Sequence, residues 1–119
     1  MVDDEIPFTK NLLWLLSRRG YEVSAANEGS SALRIIEEQE FDVVVLDLKM
    51  PGMDGISTLK ELKKKRPNLE VIILTGYGDV DSALSGIELG AYDYTTKPIE
   101  LSDLEEKIGQ AFQRKLLRE

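Results

Sequence analysis

The stretch from residue 41 to residue 55 constrains the fold more than any other part of the sequence. Residues 41–47 read FDVVVLD, and residues 48–55 read LKMPGMDG. A continuous β-branched run that is apolar on both faces is typical of a strand inside a parallel sheet. The proline and the two glycines that follow predict a tight loop. Asp47 then either caps a turn or lies at the carboxyl edge of the sheet, where open α/β folds place ligands and chemistry.

The composition limits the fold to one domain and excludes several kinds of chemistry. The chain has 119 residues, enough for one core, and it contains no cysteine and no histidine. It therefore has no disulfide, thiolate metal site or cysteine nucleophile, and it lacks the commonest general base. The net charge of −7 argues against sequence-nonspecific contact with nucleic acid by this domain. Because no membrane-spanning run or signal peptide is visible, we expect a cytoplasmic protein.

Strand and helix signals alternate about five times along the chain. This alternation predicts a doubly wound parallel sheet with right-handed crossovers and helices on both faces. No linker or repeat interrupts it, so we expect one domain over residues 1–119. The predicted helices lie around residues 7–20, 31–40, 56–66, 80–90 and 101–112, and the predicted strands lie at residues 1–4, 21–25, 41–47, 69–74 and 91–95.

The third predicted helix ends in the basic run Lys63-Lys64-Lys65-Arg66. Such a run is either a binding patch or a set of cations that complements the C-terminus of a helix. We favour the second interpretation, because cations are stabilising at that end of the helix dipole.

Side chains that could bind a ligand or take part in a reaction fall at the ends of four predicted strands. They are Asp3, Asp4, Asp47, Thr75 and Lys97. In a parallel sheet they share one edge, where the carboxylates repel one another unless a cation joins them. Oxygen ligands of this kind suit Mg²⁺. A carboxylate can accept a phosphoryl group as an acyl phosphate, and a metal, a cation and a hydroxyl can stabilise the transferred charge. Taken singly, each residue could instead be a solvated acid, a strand-end hydroxyl or a surface cation.

Several motifs together resemble the response-regulator receiver domains of bacterial two-component signalling. They read VDDE at residues 2–5, LDLKMPGMDG at 46–55, LTG at 74–76, GAYDY at 90–94 and KP at 97–98. The resemblance covers essentially the whole chain. It implies a flavodoxin-like sheet of five strands in the order 2-1-3-4-5. The sequences at residues 80–83 and 91–94 are most similar to those in receivers of transcriptional activators.

The resemblance implies a phosphorylation-dependent switch that uses Mg²⁺. Asp47 would accept a phosphoryl group from a histidine on a partner kinase or phosphotransfer protein. Asp4 and Asp47 would bind Mg²⁺ directly with the backbone carbonyl of Lys49, and Asp3 would hold waters of the metal. The chain would catalyse its own phosphoryl uptake and slow dephosphorylation without being a classical enzyme.

The resemblance also implies how the switch works. Thr75 and Lys97 would contact the phosphoryl oxygens, and Tyr94 would turn inward when Thr75 moves. This movement would remodel the face formed by the fourth helix, the fifth strand and the fifth helix, and it could favour a homodimer. The Lys97–Pro98 bond matches a cis peptide of the family.

Three alternative functions differ from this one in specific residues. An aspartyl phosphohydrolase would want a second acid beside Asp47, whereas position 49 is lysine. An inert receiver-like binding module would lack one of the acidic pair, Asp47, Thr75 or Lys97, and all of them are present. A flavin-binding protein would have a hydroxyl-rich phosphate loop after the first strand, which this sequence does not have.

The first predicted strand departs from the family pattern. Only Met1 and Val2 precede Asp3, whereas strands in globular proteins run about five or six residues. We expect this shortened strand to hold Asp3 and Asp4 poorly, and about four added apolar residues before Val2 to stabilise the fold and tighten Mg²⁺ binding. The sequence identifies neither the kinase nor the output, and it fits a single-domain regulator or part of a longer one.

Overall fold

The computed structural model of the chain describes residues 14, 17–18, 29–39, 41–47, 55–75, 80–96 and 101–118. Residues 14, 17 and 18 are helical, in agreement with the predicted first helix, whereas the first two predicted strands lie outside the described residues. The further elements, in chain order, are α1 (Gly29–Glu38), β1 (Val43–Asp47), α2 (Gly55–Lys65), β2 (Glu70–Thr75), α3 (Val80–Glu88), β3 (Asp93–Thr96) and α4 (Leu101–Arg118). Within these ranges, no helix combines the length and the apolar character needed to cross a membrane.

The three described strands form a parallel sheet in the order β1-β2-β3, with β2 in the centre. The parallel pairing agrees with the prediction from alternating strands and helices. This order corresponds to the third, fourth and fifth strands of the predicted five. The Cα register runs from Val43–Glu70 to Asp47–Leu74 on one side of β2, and from Ile72–Asp93 to Thr75–Thr96 on the other.

Helices cover both faces of the sheet, because alternate strand residues point to opposite sides. On one face, a buried cluster joins the strands to helices α1, α2 and α3; its strand residues are Val44, Leu46, Val71 and Ile73. On the other face, a second cluster joins the strands to α4; its members are Val45, Ile72, Leu74, Leu104 and Ala111. Strand β2 is buried along its whole length, as expected for a central strand between two helical layers. The doubly wound architecture is therefore present in the described part of the chain.

The basic run at the end of α2 binds neighbouring backbone and side-chain oxygens. Lys63 Nζ donates hydrogen bonds to the carbonyls of Pro67 and Leu69, at 3.0 and 2.9 Å. Arg66 Nη2 donates to the carbonyl of Ile36 in α1, at 2.9 Å. Two of these carbonyls lie in the loop that follows α2 and one lies near the end of α1. The contacts are local to the C-terminus of α2, in agreement with the interpretation that the cations complement that end of the helix.

The same run also links α2 to α1 through a surface ion pair. Lys65 Nζ contacts the carboxylate of Glu37. The hydrogen bond and charge of Lys65 lower the pKa of the Glu37 carboxyl below its ordinary value. Because the Glu37 side chain is more than half exposed and Lys65 is partly exposed, this pair adds little to the free energy of unfolding.

Helix α4 is joined to the N-terminal ends of the strands by three ion pairs among the described residues. The nitrogen–oxygen distances are 2.6 Å for Lys107–Asp93, 2.7 Å for Arg114–Glu70 and 2.7 Å for Lys115–Asp42. Arg114 and Lys115 are seven and eight residues after Lys107, and both spacings return to the same side of a helix after two turns. The helix is therefore fixed along the sheet edge opposite to the one where Asp47 lies.

Candidate active site

Asp47 is the last residue of β1, and the residue is only 5% exposed. The three residues before it are buried in the two core clusters, so the strand holds this carboxylate at the carboxyl edge of the sheet. A buried carboxylate is costly unless hydrogen-bond donors or a cation compensate its charge. Of the two interpretations of Asp47, the burial of this carboxylate therefore favours a binding or reaction site at the sheet edge over a residue that only caps a turn.

Thr75 ends the neighbouring strand at the same edge. Thr75 is 1% exposed. In the register of the sheet, Asp47 is the Cα partner of Leu74, and Thr75 is the next residue along β2. Asp47 and Thr75 therefore lie at the ends of adjacent parallel strands, as the sequence predicts, and their roles in a site stay a prediction. Thr75 is in turn the Cα partner of Thr96, the last residue of β3. The sequence analysis did not single out Thr96, although its place directly before Lys97 was the available signal.

Apart from Tyr94, the remaining predicted site residues lie outside the described residues. They are Asp3, Asp4, Lys49 and Lys97, together with Pro98 of the predicted cis peptide. Of the predicted direct metal ligands, only Asp47 is described, and its carboxylate is an oxygen donor of the kind Mg²⁺ prefers. In the part of the chain that the structure describes, no group of three or more acidic, histidine or cysteine side chains is placed to hold a metal ion. The ligand set therefore remains a prediction from the sequence.

Tyr94 lies in β3, directly opposite Ile73 of β2. Its side chain is half-buried and packs against the cluster that contains Ile73 and Ala83, on the face covered by α2 and α3. Its backbone N–H donates to Oδ1 of the preceding residue, Asp93, at 2.7 Å. Tyr94 is therefore an aromatic residue at the boundary between core and surface, one strand away from Thr75.

Comparison with known proteins places this arrangement in a family. The model of the "Response regulator receiver domain" family matches residues 1–109. The transcriptional regulatory protein ZraR of Escherichia coli K12 is 41% identical over 111 residues, which cover 93% of this chain and 25% of ZraR. The probable transcriptional regulator ycf27 of Cyanophora paradoxa is 41% identical over 114 residues, which cover 96% of this chain and 47% of that protein. The chain thus spans about a quarter to a half of the length of these curated relatives.

Solved structures agree with the fold. A response-regulator receiver domain protein from Clostridium thermocellum superposes with a TM-score of 0.94 at 41% identity, covering 99% of this chain and 95% of that one. The receiver domain of NtrX from Brucella abortus gives 0.90 at 34% identity, covering 94% and 95%. These likenesses confirm the predicted flavodoxin-like α/β fold, although the first two strands stay a prediction. They also favour a phosphorylation-dependent signalling switch over a phosphohydrolase or an inert module. The chain belongs to the family of response-regulator receiver domains.

Proposed function

We propose that Asp47 is the residue of this switch that receives the phosphoryl group, and that the donor is a phosphohistidine of a partner protein. Receiver domains interact with histidine kinases or phosphotransfer proteins, so the chain needs one acceptor carboxylate that such a partner can reach. The observation that carries the proposal is the buried Asp47 at the carboxyl edge of the sheet, in register with the end of β2.

The proposed step is a transfer between two nucleophiles. An Asp47 carboxylate oxygen forms a bond to phosphorus while the bond between phosphorus and the donor's imidazole nitrogen breaks. The electron pair of the broken bond goes to the imidazole, which takes up a proton, and Asp47 becomes an acyl phosphate. Thr75 donates a hydrogen bond to a phosphoryl oxygen, and Lys97 supplies positive charge beside it.

We assign Mg²⁺ to the same edge of the sheet. Asp4, Asp47 and the carbonyl of Lys49 are its proposed direct ligands, and Asp3 holds waters of the ion. When bound, the ion offsets the negative charge of the carboxylates and of the phosphoryl oxygens. The receiver family uses Mg²⁺ for phosphorylation, and the oxygen donors of this sequence suit that ion.

The output surface is the face formed by α3, β3 and α4. Phosphorylation draws Thr75 inward, Tyr94 turns into the space that Thr75 leaves, and this face changes its shape. Support comes from the placement of Thr75 and Tyr94 on adjacent strands, with Tyr94 packed on the face that α3 covers. If a second copy binds this surface, phosphorylation favours a homodimer.

The wider setting follows from the relatives. Residues 1–119 form one receiver domain, located in the cytoplasm where the family's kinases present their phosphohistidine. Because ZraR and ycf27 are described as transcriptional regulators, the proposed output is control of transcription. The domain itself, with a net charge of −7, does not contact nucleic acid.

The test is phosphorylation with acetyl phosphate and Mg²⁺, followed by mass spectrometry of the intact protein. The wild-type chain should gain one labile phosphoryl group, and Asp47→Asn should gain none. Asp42→Asn is the matched control, because Asp42 is an exposed acid just before the same strand and pairs with Lys115. Normal uptake by Asp47→Asn, with the label mapped to another residue, would refute the assignment.

A further inference from the structure

Gly86 lies in the last turn of helix α3, still inside the helix, where glycine is less favourable than alanine. Gly86 is buried, and the atoms around it explain why a residue without a Cβ atom occupies this position. A Cβ atom at position 86 would overlap with Cδ1 of Ile73 in β2, whereas Ile73 Cγ1 and Leu59 Cδ2 would both lie 3.5 Å away. The end of the Ile73 side chain thus fills the notch that Gly86 leaves in the helix.

The backbone at Gly86 ties the end of the helix to the sheet. The Gly86 carbonyl accepts a hydrogen bond from the N–H of Ala91 at 3.1 Å, across Gly90, whose φ is 109°. This is the bond that closes a Schellman-type helix end, and it requires the left-handed residue. The next residue, Tyr92, donates to the carbonyl of Val71 in β2 at 2.8 Å. The C-terminal end of α3 is therefore held against β2 by hydrogen bonds as well as by packing.

Ile73 connects this contact to the residues of the switch. It precedes Thr75 by two residues in β2 and is the Cα partner of Tyr94 in β3. Tyr94 packs against the cluster that contains Ile73 and Ala83. One buried side chain therefore touches α3 at Gly86 and lies beside Tyr94, the aromatic residue proposed to move.

We propose that Gly86 and Ile73 are positioning residues of the switch, because the notch at Gly86 lets α3 seat closely on β2 and so stabilises the position the helix has before phosphorylation. The inference rests on the proposed function, in which phosphorylation moves α3 and Tyr94. A methyl group at position 86 requires either that Cδ1 of Ile73 turns away or that α3 moves outward. Ile73 has no exposed surface and lies in a packed cluster with Leu59 and Ala83, so a turned side chain has little space and the seated position is penalised, whereas a displaced position is unaffected. A ligand that binds the displaced form then binds more tightly, because less of its binding free energy is used to move the helix.

The test uses two substitutions that exchange one methyl group across the contact. Gly86→Ala adds the overlapping Cβ, and Ile73→Val removes the Cδ1 atom that it would meet. In the double variant the nearest remaining atoms lie at ordinary contact distance, so the seat is restored. We expect Gly86→Ala to move the resonances of Tyr94 and of residues 80–88 toward their beryllofluoride-bound positions. We also expect it to lower the apparent Kd for beryllofluoride, measured with Mg²⁺ present, by about fivefold or more.

Gly109→Ala is the matched control. Gly109 also lies inside a helix, α4, but a Cβ there would meet no atom within 4 Å, so this variant changes helix propensity alone. It should leave the resonances and the beryllofluoride Kd unchanged. If Gly86→Ala does not fold, recovery of the native fold and of the wild-type Kd by the double variant supports the proposed packing of α3 on β2 at Gly86 and Ile73.

Three results would overturn the inference: unchanged Kd and resonances in Gly86→Ala, the same change in Gly109→Ala, or a double variant that does not return to wild-type behaviour. These results are distinct from failure of the proposed function. In that case the wild-type chain itself would bind no beryllofluoride and take no phosphoryl group from acetyl phosphate.

Discussion

The carboxylate of Glu70 lies 2.7 Å from the guanidinium of Arg114, measured from Oε2 to Nε, at the opposite end of the sheet from Asp47. The Glu70 side chain has no exposed surface, whereas that of Arg114 is 40% exposed. The same guanidinium lies over the ring of Tyr92, with its carbon 4.8 Å from the ring centre. Arg114 thus shields a buried acid while it covers an aromatic ring, and it joins α4 to the central strand.

Arg114→Ala should destabilise the domain more than the loss of an ordinary surface ion pair. The substitution removes one charged partner of a fully buried carboxylate and the cation packed on Tyr92. Because Arg114 is partly exposed and water can replace part of it, we expect a loss of about 1–3 kcal/mol in the free energy of unfolding. Urea denaturation, followed by circular dichroism, measures the difference.

The control for this prediction is Lys115→Ala, one residue further along the helix. Its partner Asp42 is more than half exposed, so loss of the ion pair itself is expected to cost about 0–1 kcal/mol. Because the Lys115 side chain is only 16% exposed, Lys115→Met is measured beside it, since methionine keeps most of the packing of the aliphatic stem. Equal losses for the two alanine variants would show that the burial of Glu70 does not increase the contribution of the Arg114 contact to the free energy of unfolding.

Two other glycines should respond to alanine in opposite directions. Gly109→Ala should raise the free energy of unfolding by roughly 0.5–1 kcal/mol, since alanine favours the helix and the position is open. Gly90→Ala should lower it by about 1–2 kcal/mol, because φ is 109° and the new Cβ would lie 3.2 Å from Cε of Lys63. Thermal denaturation of both variants tests the pair, and a stabilising Gly90→Ala would contradict this account of the helix end.

Local patterns along the sequence predicted much of the fold. The run at residues 41–47 predicted a buried strand that delivers Asp47 to the carboxyl edge, and the structure has β1 at Val43–Asp47. The last helix, predicted around residues 101–112, is present as α4, in which Leu104 and Ala111 are both fully buried. Since parallel strands share their carboxyl edge, the meeting of Asp47 and Thr75 followed from the order of elements alone.

Contacts between residues far apart in the chain were not predictable in the same way. Periodicity indicates which face of a helix is buried, but it does not indicate which atoms meet there. Nothing in the sequence around Glu70 distinguishes an acid that will be buried from one at a strand's exposed start, and its partner lies in a different element. Gly86 gave a partial signal as a glycine inside a predicted helix, yet only the position of Ile73 explains it.

Asp4→Asn should weaken Mg²⁺ binding while the acceptor carboxylate stays in place. The change removes one negative charge from a proposed direct ligand, so the Kd for Mg²⁺ should rise by about tenfold or more. Isothermal titration calorimetry measures the affinity, with Asp42→Asn as an acid-removing control outside the proposed site. An unchanged Mg²⁺ affinity in Asp4→Asn would remove Asp4 from the ligand set.

Replacement of Thr75 should separate phosphoryl uptake from the conformational response. Thr75→Ala removes the hydroxyl proposed to contact a phosphoryl oxygen, so uptake from acetyl phosphate should slow by about tenfold or more. Asp47 is still present, however, so the labelled residue should not change. Because the phosphoryl group then has no hydroxyl to draw inward, the resonances of Tyr94 and α3 should stay near their unphosphorylated positions even at full labelling.

Thr75→Ser is the matched variant, because it keeps the hydroxyl and deletes only a methyl group. We expect it to retain both the uptake rate within about threefold and the shifts of Tyr94 and α3, since the donor to the phosphoryl oxygen is still available. Thr75 is 1% exposed, so both variants lose some packing, and the comparison between them isolates the hydroxyl. If phosphorylated Thr75→Ala shows the full shifts of Tyr94 and α3, then the coupling runs through another residue, and Thr96, the Cα partner of Thr75 at the same edge, is the first to test.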